Sequence, residues 1–233
     1  MLASVATARG YALIRPTLGA EKVNQQPEVG NRNNRSGALA NTVNGMLGEM
    51  PSIIQTWGTT AEERLLAFPC EGILDRPYDS LYRGVTVNAS EATVFRWLCQ
   101  MRAAPYSYDW IDNGGRQSPR ELTAGLENLV IGQDVMCIFK LIAFEKDRHL
   151  TLRLKGKSSA SRAFGDLAVS YLLVPIRREG AMPRCRLLVK LIVKHPPGLY
   201  GRLMRTVLPG GDLIMMRRQL LNLKRLAEHT ETN

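Results

Sequence analysis

The strongest constraint on the fold is a series of short apolar segments with alternating polar residues, most of them in the second half of the chain. The last one alternates apolar residues at the odd positions of 185–193 with Arg186 and Lys190, and Leu188 and Ile192 interrupt the pattern. Such alternation predicts β-strands with one buried face, and the short charged turns between segments favour antiparallel pairing. The predicted strands are 82–89, 135–144, 150–155, 167–176 and 184–194.

Helical patterns lie on both sides of this series. After the first strand, Asn88 or Ser90 can cap a helix that begins near Glu91. Ser118 followed by Pro119 predicts the start of a second short helix, because proline is favoured at the first helical position.

Near the C-terminus, a short helix from about 199 is expected to end before Pro209, because proline disfavours the helical conformation of its predecessor. Asp212 then starts the final helix. This order of elements predicts an α+β fold in which a curved antiparallel sheet surrounds a long C-terminal helix, with two short helices after the first strand. The apolar stripe of the final helix contains Leu213, Met216, Leu220, Leu223 and Ala227.

The N-terminal region differs in composition from the rest. Residues 21–48 are rich in Asn, Gln, Gly and Ser and contain few large apolar side chains, so they cannot bury a core of their own. We predict a disordered or loosely attached extension (1–52), one folded domain (53–229) and a short tail (230–233). The sequence leaves open whether the extension is a targeting segment, a disordered tail or a misassigned start.

The net charge of +10 is concentrated in the second half of the chain. Residues 1–139 contain 12 basic and 14 acidic side chains, whereas 140–233 contain 19 basic and 7 acidic ones. A basic surface can attract nucleic acid or anionic lipid, but a solvated basic face is the simpler interpretation. We therefore expect no specific nucleic-acid partner and at most a weak contact with anionic surfaces.

The cysteines and histidines give no sign of a metal site. Four cysteines and three histidines are scattered without the spacing of metal ligands, and the cysteines lie in apolar runs, as small buried hydrophobic groups do. No apolar stretch reaches the ~18 residues that a membrane-spanning helix requires. We expect no metal, no cofactor, no transmembrane segment and a cytoplasmic protein, and the oligomeric state stays open.

Several blocks of sequence carry a family resemblance. They are WGTTAEE (57–63), VFRWLCQM (94–101), YSYDWIDN (106–113), and GDLIMMR (211–217) with LKRLAE (223–228). Together they resemble the polyketide cyclase/dehydrase and lipid-transport family of the START-like (SRPBCC) superfamily. The resemblance covers about residues 57–228 and implies a helix-grip fold with an internal cavity for a lipid, a polyketide or another hydrophobic molecule. It implies that the predicted domain at 53–229 is a START-like ligand-binding domain.

The candidate ligand-binding residues have large apolar or aromatic side chains, which offer contact area to a hydrophobic ligand. Each of them also fits ordinary core packing, and the aromatic block can clamp the preceding helix to the sheet. The candidates are Tyr106, Tyr108, Trp110, Phe139, Phe144, Met215 and Met216.

Two functions follow from the resemblance. The favoured one is non-catalytic binding or transport of a hydrophobic small molecule. The alternative is a cyclase/dehydrase-like enzyme acting on a carbonyl-containing ligand, with Asp109 as general base and Tyr106 or Tyr108 stabilising an enolate. No acid/base set of the better-understood enzymes matches residue by residue, and an aspartate between aromatic residues also accepts backbone hydrogen bonds in turns.

Overall fold

The computed structural model describes residues 52–177, 180 and 182–232, all within one compact unit that spans 50–233. Six strands form one antiparallel sheet in the order β1-β6-β5-β4-β3-β2, which curves around a long C-terminal helix. The predicted α+β helix-grip fold is therefore confirmed. The predicted extension lies outside the described residues, apart from Ser52. The elements are α1 (Ile53–Thr56), α2 (Ala61–Arg64), β1 (Asp79–Val87), α3 (Glu91–Cys99), α4 (Asp109–Asp112), β2 (Asp134–Val135), β3 (Phe139–Glu145), β4 (His149–Leu154), α5 (Ser159–Phe164), β5 (Asp166–Pro175), β6 (Cys185–Lys194) and α6 (Gly198–Thr232).

The inner face of the sheet forms the main core. Strands β5 and β6 pair over ten residues, and β1 pairs along the other side of β6. Since side chains alternate between the faces of a strand, the odd-numbered apolar residues of these three strands all lie on one face. They pack with α3 and with the last turns of α6.

The outer face carries a second, smaller core, which explains the interruption in β6. Leu188 and Ile192 point away from α6 and cluster with Phe68, Cys70 and Leu74, from the segment between α2 and β1. Strand β6 is therefore buried on both faces. A strand buried in this way reads as a nearly continuous apolar run and not as a clean alternation.

The edge of the sheet at β1 is covered by the chain that precedes it. The backbone N–H of Gly84 donates to the carbonyl of Trp57 at 3.1 Å. Gly58 has a φ of +74°, and a Cβ there would lie 2.1 Å from the carbonyl oxygen of Gly84, so only glycine permits this approach. Arg186 fixes the crossing, since it donates to the carbonyl of Gly58 at 2.6 Å and pairs with Glu63.

Helix α3 forms as predicted. The Ser90 hydroxyl accepts from the backbone N–H of Thr93 and caps the helix, and Glu91 lies in the first turn, where the helix dipole favours a negative charge. Its buried stripe includes Trp97, whose indole N–H donates to the Thr230 hydroxyl in the last turn of α6 at 3.0 Å.

The helix predicted at Ser118 is wrong. Residues 118–122 are not helical, and one turn of helix, α4, lies nine residues earlier. The reason is that the Ser118 hydroxyl and backbone N–H both donate to the carboxylate of Asp109, at 2.5 and 3.0 Å. The serine is therefore occupied by a contact between two loop segments and caps nothing.

The strand predicted at 135–144 is in fact a hairpin. Strand β2 ends at Val135 and β3 begins at Phe139, and the two are paired. Met136 and Cys137, with φ of 47° and 60°, make the turn. Neither residue is a usual turn former in the left-handed region, so an unbroken apolar run concealed the turn.

The predicted break at Pro209 is also wrong, because α6 continues through it. A proline inside a helix removes one backbone hydrogen bond and normally costs about 3 kcal/mol or more. Tertiary contacts hold the helix here. Arg83 of β1 donates to the carbonyl of Pro209 at 3.3 Å and pairs with Asp212 one turn later.

The two halves of α6 are packed very differently. In residues 219–232 the side chains of Gln219, Leu220, Leu223, Leu226 and Ala227 are buried, whereas in 198–218 only Gly201 is. Large apolar residues of the first half are exposed instead, with Leu199 at 81%. The second half is therefore built into the core, and the first half lies over the sheet with few buried contacts.

All four cysteines are free thiols. Cys70, Cys99 and Cys185 are buried, and Cys137 is exposed. Burial raises the pKa of the Cys99 and Cys185 thiols to about 12, so both are inert hydrophobic groups. Within the described residues no group of acids, cysteines and histidines has the arrangement of a metal site, and no helix there is long and apolar enough to cross a membrane.

Candidate ligand-binding site

A buried ion pair lies between the inner face of the sheet and α6. Arg83 occupies an inward position of β1, and its side chain is only 1% exposed. Its Nη2 lies 2.8 Å from the Oδ2 of Asp212, which is 13% exposed. Arg83 also donates to the carbonyl of Tyr82, and its Nε has no hydrogen-bond partner. Because buried charges are expensive unless paired and hydrogen-bonded, an incompletely satisfied pair in a protein interior indicates a functional site.

Further polar groups lie in the same layer of the molecule. The hydroxyl of Tyr171, on β5, donates to the Oε1 of Gln219 at 2.7 Å. The amide nitrogen of Gln219 donates in turn to the carbonyl of Pro105 at 2.6 Å, which fixes the orientation of the amide. Tyr171 and Gln219 are both buried. Tyr171 and Gln219 are thus satisfied by each other and by the backbone, and they form a polar cluster in a core that is otherwise mostly apolar.

The electrostatics make Asp212 unusual among the carboxylates. Burial raises its pKa to about 6, although Arg83 opposes the shift. Burial also lowers the pKa of Arg83 and raises that of Tyr171. An aspartate that titrates near neutrality beside a cation can exchange a proton under physiological conditions, which is the property expected of a general base or acid.

Of the predicted apolar contacts, Met216 lies close to this cluster. Met216 is half-buried against the main core, and its sulfur lies 3.9 Å from the Tyr171 hydroxyl. Phe139 is also half-buried against the same core. Met215 is half-buried on α6, and Phe144 is 36% exposed on β3. The structure thus places Met216 beside Tyr171 and leaves Phe144 partly exposed on β3.

The aromatic block lies elsewhere, in a surface groove of about 380 Å³ between residues 106–120 and the outer side of α6. Tyr106, Tyr108, Asp109 and Trp110 all line it. Asp109 accepts both hydrogen bonds from Ser118, so its carboxylate has a structural role in joining two loop segments. Trp110 is 75% exposed.

A second cleft, of about 690 Å³, lies on the outer face of the sheet beside α5. Most of its charged residues are basic, which accounts for part of the positive charge of the second half of the chain. Arg153 pairs there with Asp166 at 2.6 Å, and Lys140 and Lys155 both pair with Asp134, a residue outside the lining. We call this surface the basic cleft. Its basic lining residues are Lys140, Arg153, Lys155, Lys157, Arg162 and Lys194.

Sequence reasoning missed the interior polar cluster, although one signal was present. In the first strand, Val85, Val87 and Ala89 mark the buried face, and Arg83 has the same parity. A charged residue at an inward position is rare and usually paired. Asp212 has no such local signal and resembles an ordinary helix start, because its partner lies 129 residues earlier in the sequence.

No family model matches the sequence, and no curated protein matches it. Solved structures do resemble its fold. Norcoclaurine synthase from Thalictrum flavum, in complex with dopamine and hydroxybenzaldehyde, is 12% identical with a TM-score of 0.37, over 67% of this chain and 90% of that one. The Zhui aromatase/cyclase from Streptomyces sp. R1128 is 12% identical with a TM-score of 0.36, over 66% and 95%. A protein from Nitrosospira multiformis is 14% identical with a TM-score of 0.41, over 66% and 100%.

The curved antiparallel sheet with a long C-terminal helix is the helix-grip arrangement that the sequence resemblance implies. The observed fold therefore agrees with the one that the sequence resemblance implies. Fold alone does not define a substrate or a reaction, so function has to be argued from the residues described above.

Proposed function

We propose that this protein binds a hydrophobic small molecule, such as a lipid or a polyketide-like compound, between the inner face of the sheet and the first half of α6. The observation that carries the proposal is the ion pair of Arg83 and Asp212 in an otherwise mostly apolar layer. Arg83 would bind an anionic or carbonyl oxygen of the ligand, and half-buried side chains such as Met216 would contact its apolar part.

Ligand entry requires α6 to move, because the polar cluster is closely surrounded by side chains. The first half of α6 is suited to this movement. It buries only Gly201, and Gly210, directly after Pro209, has no neighbour within 4 Å of where a Cβ would stand. Transport of the ligand, in a reducing compartment such as the cytoplasm, is consistent with the four free thiols.

Native mass spectrometry of the freshly purified full chain tests the proposal, together with titration by the fluorescent anionic probe 1-anilinonaphthalene-8-sulfonate. We expect a co-purifying apolar adduct or saturable binding of the probe.

The double variant Arg83→Met/Asp212→Leu should keep the fold, since replacing a buried ion pair by apolar residues is often neutral, and should bind the probe at least about tenfold more weakly. Arg202→Met, an exposed arginine of the same helix, is the matched control. The absence of any adduct and of any saturable binding would contradict the proposal.

A second function is an enzyme of the cyclase/dehydrase kind, and the pKa of Asp212 near 6 favours it. The Asp212 carboxylate would take a proton from the carbon next to a ligand carbonyl. The electron pair of that bond would move to the carbonyl oxygen, where Arg83 stabilises the enolate. The enolate carbon could then attack a second carbonyl of the ligand, and Asp212 would return the proton to the new alkoxide.

Asp212→Asn separates the two functions. In a binder it should leave binding of a neutral apolar ligand within a few fold, whereas in an enzyme it should abolish turnover. Asp109→Asn is the comparison variant, because Asp109 is held by Ser118 and should not affect turnover. An enzyme that loses activity with Asp109→Asn and keeps it with Asp212→Asn would overturn this assignment.

A further inference from the structure

The surface groove beside the aromatic block combines two kinds of side chain that recognise nucleotides. Arg120, Arg218 and Arg225 line it, all three are exposed, and none forms an ion pair with any acid in the described part of the chain. The acid in the lining, Asp109, is engaged by Ser118. Three arginines without acidic partners make the groove a site for an anion, and the planar guanidinium group suits phosphate oxygens.

Aromatic rings lie beside these arginines. Tyr108 packs under the guanidinium of Arg218, at 5.8 Å from the ring centroid, and Trp110 exposes three quarters of its side chain. Large exposed aromatic rings beside a cationic groove provide stacking surfaces for bases. A phosphate alone would need the arginines and not the rings.

A second observation at the groove is independent of its charge. Tyr106 lines the groove and is buried, and its hydroxyl has no hydrogen-bond partner. Its backbone has a φ of +59°, which is uncommon for a bulky residue. The Asn222 amide donates to the Tyr106 carbonyl at 2.9 Å and holds this conformation. Buried hydroxyls without partners are rare in proteins, and residues in strained backbone conformations cluster at ligand sites.

We propose that this groove, which we call the arginine groove, binds a nucleoside phosphate, with the base on Trp110 and the phosphates on Arg218 and Arg225. Its volume of about 380 Å³ is in the range of a site for one small ligand. That size favours a free nucleotide over a long nucleic-acid strand. The site lies apart from the Arg83–Asp212 pair and does not depend on the function proposed above.

Titration of the full chain with the fluorescent analogue mant-ATP, followed by competition with ATP, AMP, inorganic phosphate and a single-stranded RNA oligonucleotide, tests the proposal. We expect saturable binding, with ATP competing much better than inorganic phosphate. The variant Arg218→Gln/Arg225→Gln should weaken binding by at least about tenfold, and Trp110→Ala by about fivefold or more. The control variant Arg162→Gln/Arg202→Gln removes the same charge outside the groove and should stay within about twofold.

Several results would overturn this assignment. The first is that mant-ATP shows no saturable binding, and the second is that the two double variants lose the same amount of affinity. The third is equal competition by phosphate and ATP, which would mean that the aromatic rings contribute nothing to binding. Tight binding of the oligonucleotide without any binding of mononucleotides would contradict the free nucleotide as ligand. Circular dichroism of each variant shows that the fold is retained, and binding of the anilinonaphthalene probe should be unchanged in all of them.

Discussion

The two halves of α6 are one continuous helix, yet they are held by different physical interactions. The second half, residues 219–232, is fixed by burial of Leu220, Leu223, Leu226 and Ala227. The first half has only partly buried apolar contacts, such as those of Leu208 and Met216, and polar contacts add to them. Arg83 contacts Pro209 and Asp212 from inside, and the Tyr200 hydroxyl donates to the Ala163 carbonyl at the start. Apolar burial is spread over many atoms, whereas a polar contact can be broken at one position, so stability and ligand access can be changed separately.

The largest effect is expected from breaking the ion pair on one side. Arg83→Met leaves the Asp212 carboxylate in the interior without a cation, which typically destabilises a protein by about 3–5 kcal/mol. Adding Asp212→Leu should recover most of that loss, because no buried charge then remains. Urea unfolding of the three proteins measures the difference. If the single variant were as stable as the wild type, the pair would not hold the first half of α6.

Shortening a buried side chain in the second half of α6 should lower the free energy of unfolding nearly as much. The same substitution in the first half should lower it very little. Leu223 is fully buried, and Leu223→Ala should lower the free energy of unfolding by about 2–5 kcal/mol. Leu203→Ala, at an exposed position of the same helix, should change it by less than about 0.5 kcal/mol. Similar losses in the free energy of unfolding at both positions would show that the two halves of α6 are packed equally well.

The raised pKa of Asp212 predicts a specific dependence of stability on pH. Its folded pKa is about 6, and an unfolded aspartate titrates near ~3.9. Between these values the folded state binds more protons than the unfolded state, so this residue makes the protein more stable as pH falls. Its contribution is absent above about pH 7, mostly present at about pH 4, and amounts to about 3 kcal/mol when complete.

The matched variant is Asp212→Asn, which cannot titrate at this position. The wild type should gain stability relative to the variant as pH is lowered from about 7 to 4. The difference in stability between the wild type and the variant removes the contribution of other carboxylates, such as Glu63 and Glu228. The pKa values of these two are lowered by their cationic and backbone partners. A difference that is constant over this range would mean that Asp212 titrates normally.

A small gain in stability is expected at the glycines after Pro209. A Cβ on Gly210 meets no atom within 4 Å, and alanine is favoured over glycine in a helix interior by about 1 kcal/mol. Gly210→Ala should therefore raise the free energy of unfolding by about 0.5–1 kcal/mol. It should also slow release of the anilinonaphthalene probe, because a stiffer helix opens less readily. Faster release would contradict the role of this segment in ligand entry.

The elements whose evidence is local could be predicted from the sequence. Strand β6, helix α3 with its Ser90 cap and the buried stripe of the second half of α6 all depend on spacing over a few residues, which the sequence displays directly. The errors have a common cause in contacts that are distant in sequence. Pro209 stays helical because of Arg83, and Ser118 caps no helix because Asp109 binds it.

The candidate site was harder to predict for the same reason. The sequence identified a conspicuous aromatic cluster, but the structure buries Tyr106 against Trp97 and places Tyr108 and Trp110 at a surface groove, not beside the interior ion pair. Arg83, Tyr171 and Gln219 are single residues on separate elements, and only the pairing of the sheet and its curvature bring them together. The one local signal is that Arg83 occupies an odd-numbered position of its strand, as the buried apolar residues do. This signal becomes informative only once the inward face of the strand is known.

The turn at Met136 and Cys137 offers a practical advantage. Three of the four thiols are shielded, and Cys137 is exposed, so a maleimide dye should attach at this one position of the natural sequence. The neighbouring Met136 sulfur lies 3.4 Å from the Gln219 amide nitrogen, at the edge of the interior polar cluster. A dye on Cys137 would thus sit close to the interior polar cluster and report a movement of this region in real time, without a single engineered residue.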